Sequence, residues 1–99
     1  MLFVYNKFKL RKWRKFSPSK RLEILQALEN KLAKKNHRDP IPVIVHERAD
    51  WNCFGMFSVV NGEKLIYVHQ NLLLDPDLRF HALETIIHEG RHATQFVAV

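Results

Sequence analysis

Two histidines lie four positions apart near the end of the sequence, and a glutamate follows the first of them directly. The segment reads His88-Glu89-Gly90-Arg91-His92. Residues four apart on a helix have Cβ atoms about 5–6 Å apart, so both imidazoles can hold one zinc ion. Glu89 is rotated by roughly 100° from His88 and can take a proton from a water molecule that zinc activates. The spacing predicts His88 and His92 as metal ligands and Glu89 as the catalytic base of peptide hydrolysis.

The surrounding sequence favours an active-site helix over an accidental match. A shuffled chain with six His and six Glu would contain this spacing only about 0.02 times. At about 100° per residue, the helix face opposite His88 carries apolar or small residues, namely Phe80, Leu83, Ile86, Ile87, Gly90, Ala93 and Val97. The helix is therefore predicted to pack by that face and to present both histidines to a cleft.

Other polar residues near the motif are weaker candidates. His69 ends a predicted strand and is a candidate third ligand or orienting group. His81 shares the helical face of His88, but seven residues span about 10 Å along the axis, too far to share the metal. Thr85 and Gln95 border the metal face and could donate hydrogen bonds to the ligands.

Two helices are predicted from their start signals. Ser17-Pro18 is typical of a capping residue followed by proline in the first turn. The helix behind it extends to about Lys35, with leucines at near-helical spacing, and Asp39-Pro40 excludes its continuation. The motif helix is predicted to begin at Asp75-Pro76-Asp77, where an acidic cap, a proline and a second acid coincide.

Three strand-like segments lie between these helices, at Val43–Glu47, Phe54–Val60 and Lys64–His69. Asn61-Gly62 joins the last two, and both residue types tolerate the positive φ that a two-residue type I′ turn requires. Leu65–Val68 is predicted as an edge strand to which a peptide substrate could add. The pattern predicts an α+β fold: an N-terminal helix, a small sheet of three or more strands with an Asn-Gly hairpin, and a C-terminal active-site helix.

The excess of positive over negative charge is confined to the N-terminus. Residues 1–20 contain seven Lys or Arg and no acidic residue, whereas the remaining residues carry nine basic and ten acidic side chains. Residues 1–16, here called the leader, interleave these cations with Phe3, Tyr5, Phe8, Trp13 and Phe16. The leader could contact nucleic acid or an anionic membrane through residues 1–20. Alternatively, it is a solvated strand or linker whose aromatic rings pack onto the body at 17–99.

Length and composition narrow the class of protein. A chain of 99 residues with 46% apolar side chains is a single folded domain and not a disordered segment. No apolar run approaches the ~20 residues of a membrane-spanning helix, and the N-terminus is apolar first and then basic, the reverse of the order in a secretory signal. Cys53 is the single cysteine and cannot form a disulfide within the chain. We expect a cytoplasmic protein, with export by a dedicated secretion system left open.

The stretch from Glu84 to Gln95 resembles the active helix of small zincin-type metallopeptidase domains, of the glutamate-zincin kind, found in bacterial polymorphic toxins, phage and mobile elements. The similarity extends upstream through Asn52-Cys53-Phe54-Gly55 and Ile66-Tyr67-Val68 and covers about residues 13–96. The resemblance implies a minimal zincin-like fold, a Zn²⁺ cofactor, peptide or protein substrates, and the roles already given to His88, Glu89 and His92.

The chain departs from the family in its third ligand. Glutamate-zincins take that ligand from a downstream helix, but the sequence stops seven residues after His92, and Gln95 and Ala98 replace the metzincin glycine and histidine. The domain at 17–99 is therefore predicted to be truncated at its C-terminus, and this chain alone to bind zinc weakly and hydrolyse peptides poorly or not at all. Two alternatives stay open: a non-enzymatic phage or mobile-element module that binds nucleic acid through its leader and keeps a relic motif, and a metallopeptidase that cleaves phage repressors.

Overall fold

The aromatic residues of the leader belong to the core. In the computed structural model, which describes residues 8–47 and 53–98, a short helix α1 spans Leu10–Trp13 where a strand or linker was expected. Phe8 and Trp13 are fully buried, and their rings stack with centroids 4.8 Å apart. The cations around these two rings are exposed, at Lys9, Arg11, Lys12, Arg14 and Lys15. The aromatic side chains therefore anchor this segment while the charges remain in solvent.

A buried arginine fastens this segment to the rest of the chain. The Arg21 Nε donates a hydrogen bond to the Trp13 carbonyl at 3.0 Å, and its Nη1 donates to the Leu73 carbonyl at 2.6 Å. Burial of the guanidinium lowers the pKa of Arg21 from its ordinary value, because desolvation disfavours the charged form. Arg21 thus joins α1 to a distant part of the chain through two backbone carbonyls.

The first long helix, α2, spans Pro18–Lys35, as predicted. The Ser17 Oγ accepts a hydrogen bond from the Lys20 N–H at 3.1 Å. This cap satisfies one of the amides that the first turn of a helix leaves unbonded. The inner face of α2 buries Ile24, Leu25 and Leu28.

Three strands form one mixed sheet. β1 spans Val43–His46, β2 spans Gly55–Val60 and β3 spans Glu63–His69. The order is β1-β3-β2, with β1 parallel and β2 antiparallel to β3. The hairpin turn is confirmed, since Asn61 and Gly62 have φ of 51° and 81°. The edge-strand prediction was wrong: β3, which contains Leu65–Val68, is the central strand of the described sheet, and β2 lies at an edge.

The motif helix begins later than predicted. A short helix α3 spans Asn71–Leu74, and a 3₁₀ turn follows at Pro76–Leu78 before helix α4 spans Arg79–Ala98. The Asp75 side chain is a cap, but it accepts from the Asp77 N–H at 3.0 Å and so caps the 3₁₀ turn. Proline suits that first turn, which leads directly into α4.

The α+β fold is confirmed for the described residues, which form four α-helices and a three-stranded sheet. Helix α4 buries Leu83, Ile86 and Ala93 against α2, β2 and β3, as the helical periodicity predicted. Phe80 departs from that prediction and is half-exposed, because α4 has only just begun there. Val97 lies outside the side chains that the structure describes.

Among the helices that the structure describes, none is long and apolar enough to cross a membrane.

A buried ion pair joins helix α2 to the loop that follows it. The Arg38 guanidinium donates to both Glu29 carboxylate oxygens, from Nη1 at 2.7 Å and from Nη2 at 2.8 Å. Their side chains are 2% and 0% exposed, respectively. Glu29 Oε2 also accepts from the Ile41 N–H at 2.8 Å, which ties the approach to β1 into the same contact. Bidentate geometry and additional hydrogen bonds are what two buried charges require.

We predict that Glu29→Ala lowers the free energy of unfolding by about 3–5 kcal/mol, because Arg38 is left as a buried charge without its carboxylate. Urea unfolding measures the loss. Glu23→Ala is the matched control, since Glu23 lies on the same helix and its ion pair with Lys20, at 3.5 Å, is exposed. The control should change stability by less than about 1 kcal/mol. Similar losses in the two variants would contradict this assignment of the stabilising contact.

Candidate metal centre

Helix α4 brings His88 and His92 together on its exposed side. Their Nε2 atoms lie 3.1 Å apart, and their rings meet edge to face with centroids 4.7 Å apart. This follows from the spacing of four, which places the two side chains one helical turn apart on one face. Both side chains are exposed, so the nitrogen pair is open to solvent.

The nitrogen pair fits a zinc ion. Two nitrogens 3.1 Å apart, each about 2.05 Å from a metal, subtend about 98° there, close to the roughly 109° of tetrahedral coordination. Glu89 completes a cluster with them, since the ligand atoms of His88, Glu89 and His92 all lie within 4.8 Å of one another. Among the described residues, this is the group of His, Cys, Asp and Glu side chains that could hold an ion.

Glu89 is held by the sheet. Its side chain is buried, and its Oε1 accepts a hydrogen bond from the Phe57 N–H at 3.0 Å. That amide faces α4 and not β3, because successive residues of an antiparallel strand alternate between the ladder and the opposite side. Sequence reasoning missed this partner, since nothing in the chain indicates which amide of β2 turns toward α4. The contact orients the carboxylate beside the imidazoles.

Gly55 permits this approach of β2 to α4. A Cβ atom at Gly55 would lie 2.3 Å from the Thr85 Cγ2 and 3.6 Å from the Glu89 Cγ. The first distance is far below van der Waals contact, so a side chain here would push the strand away from the helix. The start of β2 is therefore shaped by the absence of a side chain.

The centre borders a hollow of about 430 Å³ between the start of β2 and the first half of α4. Its lining residues are Cys53, Phe54, Gly55, His81, Glu84, Thr85, His88 and Glu89. The His81 ring packs against Phe54 with centroids 5.1 Å apart, so His81 forms a wall of the hollow. This space could admit a side chain of a bound peptide next to His88 and Glu89.

The remaining predicted candidates lie outside the cluster. His69 is buried, and its Nδ1 accepts from the Asn71 N–H at 3.1 Å, which places it at the start of α3. It is not grouped with the two histidines of α4. The Thr85 hydroxyl donates to the His81 carbonyl at 2.7 Å and so bonds its own helix, while Gln95 is exposed. The Thr85 hydroxyl therefore does not bond the imidazole of His88 or His92.

Comparison with known proteins does not identify a family for this chain. The chain matches no family model, no curated protein and no solved structure. The likeness to zincin-type domains therefore remains an interpretation of the motif. A functional argument depends on the geometry of the site itself.

Proposed function

We propose that this protein is a zinc-dependent metallopeptidase in which His88 and His92 hold the metal and Glu89 acts as general base. The observation that carries the proposal is the 3.1 Å separation of the two Nε2 atoms, with a buried carboxylate beside them. Ordinary surface histidines have no need of a neighbouring carboxylate that is anchored to a strand. The two imidazoles leave further coordination positions for water and for a group outside this cluster.

Glu89 has the contacts of a positioned base. When bound, zinc supplies a Lewis acid that polarises a carbonyl oxygen and lowers the pKa of water toward about 7. Since Glu89 Oε1 accepts from the Phe57 N–H, Oε2 is the oxygen that we assign to accept a proton from the attacking water. Glu89 can then pass that proton to the nitrogen of the scissile peptide bond, so that the amine departs neutral.

The substrate proposed for this site is an extended peptide that lies along β2. This strand forms an edge of the described sheet, and its amide at Phe57 turns toward α4. An exposed strand edge recognises extended peptides through main-chain hydrogen bonds. Such a peptide would pass beside Glu89, and one of its side chains could enter the hollow bordered by His81.

We predict one zinc ion per chain, lost in the double variant His88→Ala/His92→Ala, because both Nε2 donors are then removed. Elemental analysis of protein purified without chelator measures the metal. His81→Ala is the matched control, since His81 is exposed on the same helix but lies outside the cluster. Equal zinc in wild type and in the double variant would overturn the metal site.

We predict that Glu89→Gln keeps zinc and fold but lowers peptide hydrolysis by about 10²–10⁴-fold, because an amide cannot accept the proton. Glutamine retains an oxygen that can accept from the Phe57 N–H, so the contact with β2 survives. Cleavage of a peptide library, compared with zinc content and melting temperature, gives the result. Undiminished cleavage would reassign the base.

A second candidate function, binding of nucleic acid through the leader, is favoured by the outward cations around α1. Five exposed Lys or Arg lie within residues 9–15, whereas Phe8 and Trp13 are fully buried. The buried rings cannot stack on bases, so any contact would be electrostatic and directed to phosphates. This function does not need the motif on α4.

We predict that duplex DNA binding, if measured at low salt, falls with salt at a logarithmic slope of about −0.9 for each phosphate contacted. Replacing Arg11, Lys12, Arg14 and Lys15 by Gln should reduce both the affinity and the slope. Replacing Lys34 and Lys35, which are also exposed, is the matched control. DNA binding that does not change with salt and that persists in the leader variant would contradict this candidate function. Equal binding to anionic vesicles would show that the leader attracts anions in general.

A further inference from the structure

The buried ion pair reaches the motif helix at Gly90, midway between the two histidines. A Cβ atom at Gly90 would lie 3.3 Å from the Arg38 Nη2 and 3.4 Å from the Glu29 Oε1. The first distance is tighter than most Cβ contacts and the second is ordinary van der Waals contact, so a side chain at this position would require Arg38 to shift by a few tenths of an ångström. Glycine within the motif therefore allows the charged groups to approach the backbone of α4.

Arg38 also grips α4 through hydrogen bonds. Its Nε donates to the Thr94 Oγ1 at 3.0 Å, and the Thr94 hydroxyl donates in turn to the Gly90 carbonyl at 2.9 Å. The Arg38 Nη2 also approaches the Gly90 carbonyl, at 3.4 Å. The Thr94 hydroxyl thus accepts one hydrogen bond and donates another. It connects the Arg38 guanidinium to the Gly90 carbonyl, which lies between the two histidines in the sequence. His92 lies within the helical turn that this chain spans.

We propose that Arg38 is a positioning residue of the metal centre, acting through Thr94 and Gly90 to fix the turn of α4 that carries His88 and His92. The inference rests on the proposed metal site. Arg38 contacts this turn on the side away from the imidazoles, because Gly90 faces α2 while the two imidazoles face solvent. A shift of this turn would alter the 3.1 Å separation of the nitrogens on which metal binding depends.

A merely stabilising role does not account for the arrangement. Buried ion pairs are often no more stabilising than apolar side chains of similar size, because desolvation opposes the attraction. Geometric specificity is the better-supported use of such a pair, and here every donor of Arg38 has a defined acceptor at or near α4 and α2. Metal affinity should therefore depend on these contacts separately from stability.

Thr94→Val tests the proposal, since it removes the hydroxyl but leaves the ion pair. We expect the affinity for Co²⁺, used as a coloured probe for zinc, to fall by about tenfold, and Thr94→Ser, which restores the hydroxyl, to recover it. Ile24→Val, a core variant outside this network, shows the effect of a small loss of stability alone. The melting temperature of each variant is measured in parallel. Unchanged affinity in Thr94→Val, or an equal loss in Ile24→Val, would overturn the proposal.

A second measurement separates this proposal from the proposed function. Nuclear Overhauser effects between the His88 and His92 rings report their approach in the metal-free protein. We expect Thr94→Val to weaken these effects and Thr94→Ser to restore them. If the wild type binds no Co²⁺, the metallopeptidase proposal fails. Weakened ring contacts in Thr94→Val would even then support the role of Arg38 in positioning His88 and His92. Unchanged ring contacts in that variant would overturn this positioning role.

Discussion

The burial of the Glu29–Arg38 ion pair is the constraint to which the rest of the structure conforms. Both side chains are almost completely removed from solvent, so every strong donor and acceptor of the pair needs a partner within the protein. Those partners come from four places: the Asp39 carbonyl, the Ile41 N–H before β1, and the hydroxyl of Thr94 and the carbonyl of Gly90 on α4. Satisfying two charges therefore sets the distance between α2 and α4 and the path of the chain into the sheet.

Helix α4 is consequently in close contact with its neighbours on two sides, and a glycine lies at each contact. Gly90 allows the ion pair of α2 to reach its backbone, and Gly55 allows β2 to approach Thr85 and Glu89. A side chain at Gly55 would place its Cβ 2.3 Å from the Thr85 Cγ2 and would separate the layers, whereas one at Gly90 would require only a small shift of Arg38. The faces toward α2 and β2 are thus fixed, and the remaining exposed face carries His88 and His92. The motif is displayed on a helix whose rotation is already determined.

Local signals in the sequence were sufficient for the two long helices and the hairpin, but not for the short helices α1 and α3 or for the assembly of the sheet. Ser17-Pro18 and Asn61-Gly62 marked a helix start and a turn, because their effects act within a few residues. The strand order was not predictable in this way, since the parallel pairing of β1 with β3 joins distant segments. The same reason explains why the contact between Glu89 and Phe57 was missed. The pair of histidines needed only helical spacing, so their position one turn apart on one face of α4 followed from the sequence.

The hydrogen bond from Phe57 to Glu89 links the edge of the sheet to the proposed chemistry. A peptide that pairs with β2 needs outward-facing amides of this strand, and the amide at Phe57 already donates to the carboxylate. A single N–H holds one acceptor more firmly than two, so a peptide lying along β2 would bond to other outward-facing amides and leave Phe57 to Glu89. The hydrogen bond from Phe57 would then keep Oε1 fixed while Oε2 accepts the proton from the attacking water. The strand proposed to bind the substrate and the residue proposed to take the proton would in this way be linked through one backbone amide.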